Sequence, residues 1–260
     1  MILLRILVPS SCYFNAACSP QQVHLTPRNQ IISRNHPKST AMATNGNHSR
    51  VDQRYAVVTG ANKGIGLETV RQIASKGVTV VLTARDEKRG TDATCMLHNM
   101  GLTNVVFHQL DVLDPVSIES LAKFIKDRFG RLDILRIRGD DLRNELGDSE
   151  TLNEQKLDSI LKRFLKDLKE NTLEAGGWSL MLPAYSISKA TLNAYTRVLA
   201  KRHPNMLINC VHPGYVNTDI NWHTGPMPVE EGARGPVKCA LLPDGGPTGC
   251  YFDQTEVASF

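Results

Sequence analysis

Tyr55-Ala-Val-Val-Thr-Gly-Ala-Asn-Lys-Gly-Ile-Gly66 is the stretch that decides the fold. Tyr55 to Thr59 is a short apolar run of the kind that makes a fully buried strand. Gly64 to Lys76 carries Ile65, Val70, Ile73 and Ala74 near helical spacing, and Gly77 stands where a helix would stop. The link between them has the spacing G-x-x-x-G-x-G. Gly60 permits a tight turn, Gly64 lets backbone approach a diphosphate, and Gly66 lets helix and strand pack closely. The helix N-terminus offers unpaired N–H groups and a positive dipole to phosphate oxygens. Strand, glycine turn and helix in that order predict dinucleotide binding, with Gly60, Asn62, Lys63, Gly64, Ile65 and Gly66 as the turn residues facing the ligand.

The same rhythm continues outward. Val78 to Thr83 reads as strand, Asp86 to Met100 as helix and Val105 to Leu110 as strand. Pro115 to Phe129 reads as a helix with Ile118, Leu121, Phe124 and Ile125 on one face, and Leu132 to Leu135 as a fourth strand. Strands alternating with helices predict an α/β fold with a doubly wound parallel sheet. Leu157, Ile160, Leu161, Phe164 and Leu168 then form an apolar stripe on a highly charged helix, a pattern of core packing. A helix from Tyr185 to His203, a strand from Met206 to Val211 and a short strand near Cys250 to Phe252 complete the pattern.

Composition bounds the remaining possibilities. The chain has 260 residues, 41% hydrophobic and 22% charged, enough apolar surface for a core. Its net charge of +4 hides an asymmetry: residues 1–50 hold five basic residues and no acid, so residues 51–260 come to −1. That leaves no basic footprint for nucleic acid. Cys12, Cys18, Cys95, Cys210, Cys239 and Cys250 form no C-x-x-C pair and no zinc spacing, which suits a reducing compartment and gives no metal site. The longest apolar start, Met1 to Val8, is short and broken by Arg5, so no membrane span is expected. Residues 1–50 read as a basic extension outside the fold, with one domain from 51 to 260. The extension is either upstream sequence before a start at Met42, with a cytoplasmic protein, or a transit peptide to plastid or mitochondrion.

Cofactor choice is decided at the end of the second strand, Leu82-Thr-Ala-Arg-Asp-Glu-Lys88, where an acid would bond a ribose 2′-hydroxyl and a base would pair with a 2′-phosphate. Arg85 comes first, with Lys63 in the glycine turn, and this favours NADP(H) over NAD. The other reading is that Arg85 merely starts a solvated helix. Asp111 could likewise hold an adenine amino group or cap a turn. Tyr185-Ser-Ile-Ser-Lys189 puts Tyr185 and Lys189 one helical turn apart, where the ammonium can stabilise a phenolate and make the phenol a usable acid.

Together, Thr59 to Gly66, Leu110-Asp-Val112, Leu132-Asp-Ile-Leu135, Tyr185-x-x-x-Lys189 and His212-Pro-Gly-Tyr-Val-Asn-Thr-Asp219 resemble the short-chain dehydrogenase/reductase family. The resemblance is to its plant carbonyl-reductase-like branch, which contains salutaridine reductase, menthone reductase and neomenthol dehydrogenase. Leu241 to Gly249 and the amphipathic stretch before Tyr185 share it. The resemblance implies a Rossmann-type sheet and reversible NADP(H)-linked interconversion of a ketone and a secondary alcohol, with a cyclic terpenoid- or alkaloid-like substrate. It implies Tyr185 as catalytic acid–base and Lys189 also on the nicotinamide ribose. Asp111 and Val112 would lie at the adenine; Pro213, Gly214, Val216 and Thr218 would line the nicotinamide and diphosphate side. It also implies a monomer, since the helical insertion before the Tyr motif goes with monomeric members.

One part of the family pattern is missing. After Leu135 the family continues with an Asn-Asn-Ala-Gly turn, a helix with a catalytic Asn, and a fifth central strand ending in a catalytic Ser. This chain runs instead into Arg136-Ile-Arg-Gly-Asp-Asp141, as if by internal deletion, and the 49 residues between Leu135 and Tyr185 hold no buried strand pattern. A sheet lacking its fifth strand is therefore expected, with the strands at Leu132 and Met206 pairing directly or leaving backbone groups exposed. Loss of the Ser and Asn gives a second functional reading, a catalytically silent nucleotide-binding remnant or an unstable truncated isoform without function.

Overall fold

The computed structural model describes residues 5–8, 53–136 and 152–258. The strands are β1 (Arg5–Val8), β2 (Tyr55–Val58), β3 (Thr79–Ala84), β4 (Val105–Gln109), β5 (Ile134–Arg136), β6 (Ile208–His212), β7 (Tyr251–Asp253) and β8 (Glu256–Ala258). The helices are α1 (Gly64–Ala74), α2 (Glu87–Asn99), α3 (Pro115–Phe129), α4 (Glu154–Lys169), α5 (Pro183–Arg202), α6 (Val229–Gly232) and α7 (Arg234–Ala240), with a 3₁₀ turn at Asp219–Asn221. The strands form one sheet in the order β4-β3-β2-β5-β1-β6-β7-β8, parallel except for β8, which returns antiparallel beside β7. The doubly wound sheet expected from the alternation is present.

Why these residues make an interior sheet follows from the period of two along each strand. Ala56, Val58, Val80 and Leu82 pack with Val70, Ile73 and Leu97 of α1 and α2, whereas Val57 and Val81 pack with Leu121 and Ile125 of α3. Both faces are thus covered by helices, so the strands need apolar residues at every position. Helix ends are set by local chemistry. Asp86 and Asp114 cap α2 and α3, Pro115 occupies the first turn of α3, and Gly130 ends it at a φ of 72°. Asp133 holds the start of β2, its carboxylate accepting from the Tyr55 N–H at 2.8 Å. The apolar stripe of α4 is core, as its spacing predicts: Leu157, Ile160 and Phe164 are buried against Ile187, Ala190, Ala194 and Val198 of α5. Trp178 closes this cluster, edge-on to Phe164, with its indole N–H donating to Asp167 at 2.7 Å.

The sheet has no gap between β5 and β6, and those strands neither pair directly nor stand open. The position is held by Arg5–Val8, with Ile6 opposite Leu135 on one side and Ile208 on the other. This segment, Arg5–Val8, lies in the sheet interior, and residues 1–4 and 9–52 lie outside the described residues. A physical reason is that parallel pairing costs a long chain closure but needs only a short apolar run, and Ile6-Leu-Val8 supplies one. The charged stretch 137–151 also lies outside the described residues.

Candidate active site

The expected site residues, those of α5 aside, follow the C-terminal ends of parallel strands, the edge where doubly wound sheets bind ligands. Gly60 follows β2, Arg85 follows β3, Asp111 follows β4, and Pro213 follows β6. At the glycine turn, Gly60 and Gly64 have φ of 59° and 57°, a conformation that favours glycine. A Cβ on Gly66 would stand 2.7 Å from the Gly60 carbonyl oxygen, so the absent side chain is what lets α1 close on its own turn. The Ala61 N–H donates to the Thr83 carbonyl at 2.8 Å, fixing the turn to β3. α1 starts from Lys63 with no side-chain cap and no acid in its first turn. Its leading amides are thus available to an anion such as a diphosphate.

The segment after β6 meets this turn. Ile65 and Val216 are buried together with Ala233, and Thr218 Cγ2 lies 3.5 Å from where a Gly64 Cβ would be. Gly214 has a φ of 86°, and Gly232 lies so near Val216 that a Cβ there would approach it to 2.5 Å. Asn221 organises the segment: its amide donates to the Val216 carbonyl at 2.8 Å and forms a capping box with Thr218. The sequence reading missed Asn221, although Thr218-x-x-Asn221 has the spacing of such a box. It also missed that Lys63 is ion-paired to Asp219. The Lys63 ammonium, with a smaller contribution from His223, holds the Asp219 carboxyl below its ordinary range. Asn62 is half-buried within the turn.

At the β3 end, Arg85 is exposed, while the neighbouring Asp86 is used as the α2 cap, accepting from the Arg89 N–H at 2.9 Å. The Arg85 carbonyl accepts from Gln109, Gln109 from Ser117 at 2.9 Å, and Ser117 from the Asp111 N–H at 2.9 Å, so a polar chain joins the ends of β3 and β4. One Asp111 oxygen accepts from the Leu113 N–H at 3.0 Å, which is the turn-capping role, and Val112 beside it is exposed. A groove of about 460 Å³ runs from Gly64, Thr218 and Asp219 along α1 to Met96 and Met100. Tyr185 and Lys189 do not line it.

On α5, Lys189 is 3% exposed and Tyr185 is 49% exposed, with the ammonium 5.2 Å from the phenol ring centroid. A buried cation therefore lies over the ring of an accessible phenol, a cation–π contact. The helix begins two residues earlier than its pattern suggests, because Pro183 takes the first turn after Leu182 at a φ of 50°. Ser188 donates to the Tyr185 carbonyl at 2.8 Å and Ser186 lies toward the Met181 carbonyl, so both hydroxyls are engaged with backbone.

Comparison with known proteins identifies the family. The sequence pattern of the short chain dehydrogenase family matches residues 54–165. Short-chain dehydrogenase/reductase 1 of Saponaria officinalis is 40% identical, over 80% of this chain and 96% of its own length. The chain belongs to the short-chain dehydrogenase/reductase family. Within that family it lies with the plant salutaridine reductase and neomenthol dehydrogenase branch. (+)-Neomenthol dehydrogenase of Arabidopsis thaliana is 37% identical over 80% of this chain and 98% of its own. The solved salutaridine reductase of Papaver somniferum superposes with a TM-score of 0.73 at 35% identity, covering 77% of this chain and 99% of its own. The Saponaria alignment runs over 291 positions while spanning only 80% of these 260 residues, so that short-chain dehydrogenase/reductase has stretches with no counterpart here.

Proposed function

We propose that this short-chain dehydrogenase/reductase binds NADP(H) across the glycine turn and interconverts a ketone and a secondary alcohol of cyclic terpenoid or alkaloid type. The observation that carries this reading is the accessible Tyr185 phenol over the buried Lys189 ammonium, on a helix packed against β6. The uncapped start of α1, with Gly60 and Gly64 in left-handed backbone, fits the diphosphate. Arg85, exposed at the end of β3 with its acidic neighbour spent on a helix cap and Lys63 engaged by Asp219, would pair with a 2′-phosphate. Pro213, Gly214, Val216 and Thr218 would border the nicotinamide side, and Asp111 and Val112 the adenine. NADPH, when bound, supplies a hydride. Tyr185 gives its hydroxyl proton to the carbonyl oxygen, and Lys189 stabilises the phenolate left behind; in the oxidative direction Tyr185 takes the proton back.

A second reading, nucleotide binding without turnover, has its own support. The sequence between Leu135 and Tyr185 lacks the family segment that ends in the catalytic Ser, and loss of such a donor costs on the order of 10² to 10³ in rate. On the face of α5 that continues from Tyr185 and Lys189, the Asn193 amide is fully buried, and among the described residues neither of its polar atoms has a hydrogen-bond partner. NADPH oxidation with a panel of cyclic ketones separates the two. The first reading predicts a measurable rate that Tyr185→Phe lowers by roughly 10² to 10⁴ with cofactor affinity unchanged. No rate with cofactor bound leaves the second, whereas a rate indifferent to Tyr185→Phe removes Tyr185 from the role given it here.

A further inference from the structure

The place between β5 and β6 is where the sheet needs a strand and the neighbouring sequence offers none. Both flanking strands are interior: β5 pairs with β2 on its other side, and β6 with β7. Helices α5 and α7 pack over this part of the sheet, against β1 as well as β6. Were the slot vacant, backbone groups of both neighbours would be shut away from water without partners, which native proteins rarely tolerate. Arg5–Val8 prevents this. Arg5 stands opposite Ile134, Ile6 between Leu135 and Ile208, Leu7 between Arg136 and Asn209, and Val8 opposite Cys210. Ile6-Leu-Val8 has the continuous apolar character of a strand buried on both faces.

The route of the chain sets this strand apart from the others. β1 does not adjoin β2, the next strand in sequence; β5 lies between them, and residues 9–52 intervene along the chain. The strand is therefore not laid down as part of a β-α-β unit, as β2, β3, β4 and β5 are. It enters the sheet as a peptide enters a strand-accepting protein, through main-chain bonds to an existing edge on each side. We propose that Arg5–Val8 is an exchangeable strand, and that the slot between β5 and β6 is an acceptor for an extended apolar peptide in parallel register, filled in cis by the chain's own N-terminal arm. The slot underlies α5 and adjoins β6, which leads directly into His212–Asp219, so its filling sets the frame on which both halves of the candidate site stand. A chain starting at Met42 lacks the donor and has an open slot.

The test does not depend on turnover or on cofactor. Amide hydrogen exchange is compared between the full chain, the full chain with Ile6→Pro, and a chain starting at Met42. Proline removes the Ile6 N–H at a position paired on both sides. Both altered chains are expected to exchange at least about tenfold faster at 134–136 and 208–212, with 79–84 and 105–109 less affected. A synthetic peptide of residues 1–11 in excess restores protection to the Met42 chain; the same peptide with Ile6→Pro does not. Global unfolding of either altered chain, reversed for the Met42 chain by the peptide, carries the same meaning, because a segment outside the fold could not cause it. Ile6→Pro with exchange and melting equal to the parent overturns the strand. Failure of the 1–11 peptide to restore protection, or equal restoration by the proline peptide, overturns the exchangeable acceptor. A full chain that is dimeric and loses the strand's protection on dilution overturns filling in cis.

Discussion

Glu68 sits in the first half of α1, 8% exposed, and its carboxylate is gripped from three directions. The Arg71 guanidinium donates twice, at 2.7 and 2.6 Å, and the Gln72 amide once, at 2.8 Å. Burial alone would push its pKa up; the bonds from Arg71 and Gln72 outweigh that and hold it below the ordinary value. A carboxyl with a lowered folded-state pKa stabilises fully above the unfolded value and loses that contribution as pH falls through the folded one. Glu68→Ala is thus expected to cost about 1.5–3 kcal/mol at neutral pH. The difference from the parent should shrink as pH falls from about 4.5 toward 3. Denaturant melts of both chains at pH 7 and at the acid end check this, and a difference independent of pH would contradict it. Gln72 also donates to the Glu230 carbonyl at 2.9 Å, so this cluster links α1 to α6.

At the scale of elements, the turn between β2 and α1 makes the sharpest demand on sequence. Gly66→Ala would put a methyl 2.7 Å from the Gly60 carbonyl oxygen and 3.0 Å from Ala61 Cα, both backbone atoms that can move only by shifting the turn. The expected loss is about 1–3 kcal/mol, by the cost of overpacking, together with weaker NADPH binding. Urea denaturation and a fluorescence titration of the variant would show both, and unchanged affinity would separate the turn from the cofactor. This turn was legible in advance because three glycines at fixed spacing have a local physical cause. So were α1, α2, α3 and the stripe of α4, whose apolar period comes from local geometry and burial. The Tyr185 and Lys189 pair was legible for the same reason, one helical turn being fixed by the helix itself.

Elements whose cause is distant were not legible. β1 is four residues long, its apolar run follows an arginine, and its partners lie more than a hundred residues away, so nothing local marks it as strand. The fifth position of the sheet could be seen to be empty of its own family segment, but not who would fill it. The chain Arg85, Gln109, Ser117, Asp111 likewise joins three elements whose approach only the sheet order creates. Asp219 was read only as the end of a motif, and its pairing with Lys63 depends on β6 delivering it to the glycine turn.

For the molecule as a whole, everything turns on a pyridine nucleotide resting against the start of α1 with its extra phosphate toward Arg85. If so, the ligand joins β2, β3 and the segment after β6 at one edge of the sheet, and it stabilises the folded chain by mass action. The direct measurement is calorimetric titration of the purified full chain with NADPH and with NADH, repeated on Arg85→Ala. The account predicts saturable binding of NADPH, tighter than NADH by at least about tenfold, or ~1.4 kcal/mol, with Arg85→Ala removing most of that preference. A folded chain that binds neither reduced nucleotide, or binds both equally before and after the substitution, would contradict it.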